Sequence, residues 1–250
     1  MPTIALLTDF GARDPYVAAM KGVIASRCEA RIVDLSHEIA AFDVWQAAFF
    51  LRDIIDYWRD AVIVAVIDPG VGTARRILAV DRGDLVLLAP DNGVLTFGGG
   101  EAFHVTDESL FLPNGSNTFH GRDRFAPVAA AIAGGRSASS LGPRVDDRVQ
   151  LRYDAPSYEE RQVRGTIVAV DRFGNLITDI EIARVAFVPF AVCAGAHTVT
   201  RVAPNYAEAG EGAFVVAGST GRIELSVANG SAATLLQLRR GDRVEVVPQS

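Results

Sequence analysis

Ala61-Val62-Ile63-Val64-Ala65-Val66-Ile67, followed at once by Asp68-Pro69-Gly70-Val71-Gly72, decides the fold. A strand with one wet face would alternate apolar and polar residues. An unbroken run rich in β-branched side chains instead predicts a strand covered on both faces, as in the middle of a parallel sheet. It stops on an acid, a proline and two glycines, the composition of a turn at a carboxyl edge.

Upstream, two cycles lead into this strand. Residues 4–7 form a short apolar run ending in Thr8-Asp9-Phe10-Gly11, and a helix is predicted from Pro15 to about Ser26. Residues 31–35 read as a second strand. From Asp43, a good N-cap, Val44, Ala47, Ala48, Leu51, Ile54, Ile55 and Trp58 recur at the spacing of one buried helix face.

Downstream, residues 77–80 and 85–88 flank Asp81-Arg82-Gly83-Asp84, a hairpin signal, and a helix is expected from near Asp123 through 126–133 to Gly134-Gly135. Residues 136–160 carry Ser, Gly, Pro and charge with little periodicity and are the linker candidate. Short strands then follow at 163–170, 176–180, 198–202, 213–217, 222–227 and 244–247. The predicted fold class is α/β: an open, mostly parallel α/β domain over residues 1–150, then a smaller, predominantly β, barrel-like domain over 160–250.

The 250 residues can bury roughly 70% of their unfolded surface, enough for a full core. With 24 basic against 30 acidic residues and both signs dispersed, there is no basic footprint for nucleic acid, so a small molecule is the expected partner. Lys21 is the only lysine and is expected on a solvated helix face; the phosphate-loop signature is excluded. Cys28 and Cys193 lie far apart, which suggests neither a disulfide framework nor a thiolate zinc site and fits a reducing cytoplasm. The first residues lack a basic leader and reach Asp9 too soon for a signal peptide. The longest apolar stretch, 185–196, is too short for a membrane span.

Ligands of an open parallel sheet lie outside the carboxyl ends of its strands. Three polar clusters fall there: Thr8-Asp9-Phe10-Gly11 with Asp14, Asp34-Leu35-Ser36-His37, and Asp68 with Arg75. Each cluster alone could be a turn or a cap, with Asp9 or Asp14 capping the Pro15 helix. An acid that ends an apolar strand needs a cation or several donors, and Arg75 is within loop reach of Asp68. Among the four histidines His120 is the strongest candidate, because Gly121 permits close backbone approach and charged groups surround it. In the second domain, Asp171-Arg172-Phe173-Gly174-Asn175 offers an acid, an aromatic face and an amide, suited to an amine and a heterocycle. Gly218-Ser219-Thr220-Gly221-Arg222-Ile223-Glu224 and Asn229-Gly230-Ser231 say only turn by themselves.

Taken together these strings, with Asp14-Pro15-Tyr16-Val17 and Phe119-His120-Gly121-Arg122-Asp123, resemble the S-adenosyl-L-methionine hydroxide adenosyltransferases, relatives of fluorinase and chlorinase, over nearly the whole chain. The resemblance implies hydrolysis of S-adenosyl-L-methionine to adenosine and L-methionine without cofactor or metal. It also implies a homotrimer whose sites lie between one subunit's N-terminal domain and a neighbour's C-terminal domain. The catalytic set carries over onto Asp68, Arg75 and His120, with Asp68 or His120 taking the proton of water. Asp9 would grip the ribose hydroxyls, Phe42 would lie against the sugar, and Asp14 would stand near the methionine carboxylate. Asp171 and Ser219 would hold the methionine amine; Phe173, Asn175 and the backbone from Val227 to Asn229 would hold adenine, and Glu224 belongs to the same binding set. Phe42 stands where fluorinase has a tryptophan, and an acid at Asp68 disfavours a halide. Three rivals are a halide-dependent adenosyltransferase, a metallohydrolase built on Asp9, Asp34, His37, Asp68 and Asp91, and a non-catalytic sensor of S-adenosyl-L-methionine or adenosine.

Overall fold

The computed structural model describes residues 1–249. It divides into two compact units, Met1–Arg152 and a second that starts at Tyr153. Elements of the first are β1 (Thr3–Thr8), α1 (Tyr16–Arg27), β2 (Arg31–Ser36), α2 (Val44–Ile54), β3 (Ala61–Val66), β4 (Ile77–Asp81), β5 (Leu85–Pro90), β6 (Glu101–His104), α3 (Ala126–Ala133) and β7 (Arg144–Val145).

The sheet order is β2-β1-β3-β5-β4-β6-β7. It is mixed: β2, β1, β3 and β5 run parallel, whereas the β4–β5 hairpin, β6 and β7 pair antiparallel. β3 lies between β1 and β5, and every one of its residues is buried. Its alternate side chains serve two cores, Val62, Val64 and Val66 packing with α1 and α3 on one face, Ile63 and Ala65 with α2 on the other. That is the physical reason the run never alternates. Asp43 caps α2 as expected, accepting the Gln46 N–H at 2.9 Å. No side chain caps α1, so neither Asp9 nor Asp14 does so.

Two local expectations are corrected. The helix placed near Asp123 begins earlier, as a wide π turn over Gly121–Phe125 that runs into α3. Much of the stretch read as linker is packed on the first unit: β7 pairs with β6, and the Val149 and Leu151 amides donate to Asp91 and Thr96 at 2.8 Å.

The second unit holds β8 (Ser157–Tyr158), β9 (Val163–Val170), β10 (Leu176–Glu181), β11 (Phe190–Ala194), β12 (His197–Val199), β13 (Ala213–Ala217), β14 (Arg222–Val227), the short helix α4 (Ala232–Leu236) and β15 (Arg243–Pro248). The ladder runs β12-β11-β15-β9-β10-β14-β13. Val202, just beyond β12, bridges to Val215 of β13, which brings the two ends together and makes the sheet barrel-like. β6 and β11 are strands that the sequence pattern did not single out. Among the described residues no helix is long and apolar enough to cross a membrane.

Candidate active site

In the order β2-β1-β3 the chain leaves β1 to one side and later returns to its other side, so the carboxyl ends of β1 and β3 frame the crevice where such sheets bind ligands. Asp9 follows β1 and Asp68 follows β3. A cleft of about 340 Å³ opens there, lined among others by Asp9, Phe10, Phe42, Asp68, Phe119 and His120.

Arg75 grips Asp68 from the far end of the turn. Its Nε donates to both carboxylate oxygens at 2.9 and 3.0 Å, and its Nη2 donates to Oδ2 as well. The turn that delivers it is closed by Thr73, whose hydroxyl donates to the Gly70 carbonyl at 2.7 Å and accepts the Arg75 N–H at 3.3 Å. Gly72 is needed here: its φ is +80°, and a Cβ would sit 2.7 Å from the Asn117 carbonyl oxygen. The guanidinium lies over the Phe125 ring, 5.5 Å from its centre. Side chains of Asp68 and Arg75 are only 5% and 8% exposed, so both charges are desolvated and hold only as a forked pair.

The same Nη2 lies 2.8 Å from His120 Nδ1. A guanidinium has no acceptor, so Nδ1 receives this bond and the neutral ring carries its proton on Nε2. Burial, then the Arg124 and Arg75 cations, push the His120 pKa down to about 4. Neither His120 Nε2 nor Arg75 Nη1 has a hydrogen-bond partner among the described residues. Behind the histidine, buried Asp123 accepts the Ser116 N–H at 2.6 Å and Arg122 Nε at 2.6 Å. Its pKa stays low because these bonds outweigh the burial that acts to raise it. This pair ties the segment before His120 to the π turn.

Asp9 Oδ2 accepts the backbone N–H of Phe42 at 2.8 Å. Phe42 is held at φ +66°, an uncommon conformation for a bulky residue, and is 70% exposed at the cleft. Phe10, Tyr16 and Phe119 form an aromatic wall with ring centres 5.1–5.9 Å apart. Asp14 is exposed and lies outside the residues that line this cleft.

The second unit has its own cleft, of about 910 Å³, lined by Asp171, Phe173, Asn175, Ser219, Glu224, Val227 and Asn229 among others. Asp171 organises a turn: Oδ1 accepts the amides of Phe173 and Asn175 at 2.9 Å, and Oδ2 accepts Asn175 Nδ2 at 2.8 Å. The turn leaves Phe173 75% exposed and buries Asn175. Glu224 extends over Gly218, where a Cβ would meet its carboxylate. Burial, then the nearby Asp171 charge, raise the Glu224 pKa from its ordinary value despite Arg222. Asn229 adopts φ +55° at the turn after β14. Tyr206, which also lines the cleft, sits in an irregular loop and gave no sequence signal.

The acids required by a metallohydrolase are dispersed into other pairs. Asp34 binds Lys21 and His37, and Asp91 binds Arg76. Among the described residues no group of three or more His, Cys, Asp or Glu side chains is arranged to hold a metal ion.

Sequence models of the SAM hydroxide adenosyltransferase N-terminal and C-terminal domains match residues 4–142 and 165–245. The chain is 37% identical to the (R)-S-adenosyl-L-methionine hydrolase of Thermus thermophilus over 99% of its own length and 100% of that protein. A fluorinase of Actinopolyspora mzabensis is more distant, 26% identical over 72% of this chain and 71% of its own. A crystal structure of an uncharacterized conserved protein from Thermotoga maritima superposes with a TM-score of 0.90 at 34% identity, covering 98% of this chain and 99% of that one. Both halves of the chain thus carry the same assignment, and the protein belongs to the SAM hydroxide adenosyltransferase family.

Proposed function

We propose that the protein hydrolyses S-adenosyl-L-methionine, in the (R) configuration at sulfur that its Thermus relative is named for, to adenosine and L-methionine. The observation that carries the reading is the desolvated Asp68–Arg75–His120 cluster at a cleft that also presents Asp9 and Phe42.

Water attacks the ribose 5′ carbon in line with the sulfonium. A C–O bond forms, the C–S pair returns to sulfur, methionine leaves as a neutral thioether, and one water proton is released. No acid is needed on the leaving side, so the catalytic task is to make and aim hydroxide. Arg75 stabilises the developing negative oxygen in a site where bulk water screens little. His120 accepts from Arg75 through Nδ1, and its basicity is low; both favour a donor role for Nε2–H and leave Asp68 as the proton acceptor. Asp9 keeps one carboxylate oxygen beyond its bond to Phe42, suited to a sugar diol. In the second cleft, Phe173 and Asn175 suit a purine, and Asp171, Ser219 and Glu224 suit the cationic amino-acid end.

Each cleft holds half of what the substrate needs. In the proposed assembly one copy's N-terminal unit and a neighbour's C-terminal unit close on each substrate, three sites to a trimer. Light scattering giving three chains per particle supports this, and a monomer mass overturns it.

The test is chromatography of products after chelator-treated protein meets the (R) or (S) substrate, with and without chloride. Adenosine plus methionine from the (R) form, independent of chloride and metal, is expected. A 5′-chloro product would shift the reading to a halide transferase, and tight binding without product would shift it to a sensor.

A further inference from the structure

The string Asp34-Leu35-Ser36-His37 at the end of β2 takes no part in the chemistry above, yet its side chains form a polar relay of close contacts. Lys21 Nζ lies 2.6 Å from Asp34 Oδ2 and His37 Nδ1 lies 2.8 Å from Thr8 Oγ1; between them Asp34 Oδ1 stands 2.9 Å from His37 Nε2, an ion-pair contact without hydrogen-bond geometry. Thr8 is fully buried, and the His37 side chain is 10% exposed. A bulge in the β1–β2 ladder makes the alignment: Leu6 pairs with Asp34 but Leu7 with Ser36, so β2 advances by an extra residue as β1 ends.

The relay ends on both sides of one residue. Thr8 Oγ1 accepts the Phe10 N–H at 3.3 Å, and the His37 carbonyl accepts the Gly11 N–H at 2.8 Å, with Gly11 at φ +66°. Between Thr8 and Phe10 stands Asp9. Its carboxylate is fixed from the other side by the Phe42 amide. Lys21 and His37 hold the Asp34 carboxyl below its ordinary pKa although burial acts to raise it, so this end of the relay stays anionic.

We propose that His37 is a positioning residue. Set beside the ion pair of Asp34 with the only lysine of the chain, it locks the Thr8–Gly11 turn through its bond to Thr8 and its carbonyl, and so aims Asp9 at the ribose hydroxyls of the substrate. The proposal rests on the reading that this cleft takes an adenosyl group. A loop-fixing role of this kind acts on recognition of the diol. A role in stability alone would leave that recognition unchanged.

The test compares binding of adenosine with binding of 2′,3′-dideoxyadenosine by calorimetry. Wild-type protein is expected to prefer adenosine by about tenfold or more, the scale of one or two hydrogen bonds to a charged group. Asp9→Asn should abolish the preference, and His37→Ala should shrink it at least about fivefold. Adding His37→Ala to Asp9→Asn should change it no further, since both act through one contact. Thr8→Val, which deletes only the hydroxyl, should behave like His37→Ala, and Thr8→Ser should retain the preference; these two carry the test if His37→Ala folds poorly. In turnover, His37→Ala should raise KM by more than it lowers kcat. Full discrimination in both His37→Ala and Thr8→Val overturns the positioning role alone. Wild-type protein that binds neither nucleoside overturns the adenosyl reading and this proposal with it.

Discussion

The two clefts solve opposite problems. In the N-terminal cleft the groups placed at the reacting atom are buried and already paired: Asp68 is forked by Arg75, and Arg75 donates to His120. The C-terminal cleft is wider, and it presents an exposed ring at Phe173 and a half-buried carboxylate at Glu224 with its pKa pushed up. Groups that must act on a reacting atom are held rigid before substrate arrives. Groups that must recognise a cation and a heterocycle are left with surface still to cover. The comparison predicts that damage to the first cleft falls on kcat and damage to the second on KM.

The largest effect is expected at Asp68. Asp68→Asn keeps the shape but removes the base and the partner of Arg75, and kcat should fall by about 10² to 10⁴ while substrate binding changes little. Single-turnover rates beside equilibrium binding separate the two, and a variant that loses affinity but keeps its rate would break the division of labour. Arg75→Ala adds a structural penalty, because it strands a buried carboxylate; denaturant unfolding should report a loss of about 3–5 kcal/mol.

Phe173→Ala should give the mirror image. Removing a stacking face costs about 1–3 kcal/mol of base binding, so KM should rise about tenfold or more with kcat nearly intact. A fall in kcat equal to the loss in kcat/KM would place Phe173 in the transition state and erase the contrast between the clefts.

Glu224 sharpens the contrast through pH. Its ionised form is the one that attracts a cationic substrate, and its raised pKa means that protonation sets in at a higher pH than for an ordinary glutamate. As pH falls, KM should therefore rise, and Glu224→Gln should start from a higher KM and lose this dependence. An unchanged KM profile in Glu224→Gln would show that the carboxylate does not meet the substrate's charge.

The sequence made the N-terminal cleft readable because strand ends and turn chemistry are local. An apolar run that stops on Asp68-Pro69-Gly70 states both where β3 ends and that an acid must find a cation, and Arg75 is seven residues away. What stayed hidden depends on distant pairing. The 136–152 segment looks like a linker from composition, yet its backbone is held by Asp91 and Thr96, more than fifty residues earlier. β11 reads only as an apolar stretch until β12 and β15 flank it. Tyr206 has no periodic neighbours to announce it, and the protonation of His120 depends on how deeply the fold buries the ring, on Arg124 one turn further on, and on Arg75 from 45 residues earlier.

That protonation gives the smallest and most discriminating effect. A histidine acting as base would make kcat rise with pH through about 6.5, the ordinary imidazole range. With a pKa pushed down to about 4, His120 is neutral throughout that range, and kcat should show no step there that His120→Asn removes. The same shift enters stability with a definite sign. Above pH 6.5 the ring is neutral in folded and unfolded chains alike, and its contribution is fully present. Between 6.5 and about 4 the unfolded chain takes up a proton that the folded one refuses, so acidification favours unfolding; below about 4 both are charged and the loss is complete. Melting temperatures of wild type and His120→Asn should therefore converge by a few degrees as pH is lowered across this window. Parallel curves would mean that the ring takes up its proton inside the cluster. His120 would then have to be redrawn as an acid paired with Asp68, and the first cleft would no longer be the one whose charges are settled in advance.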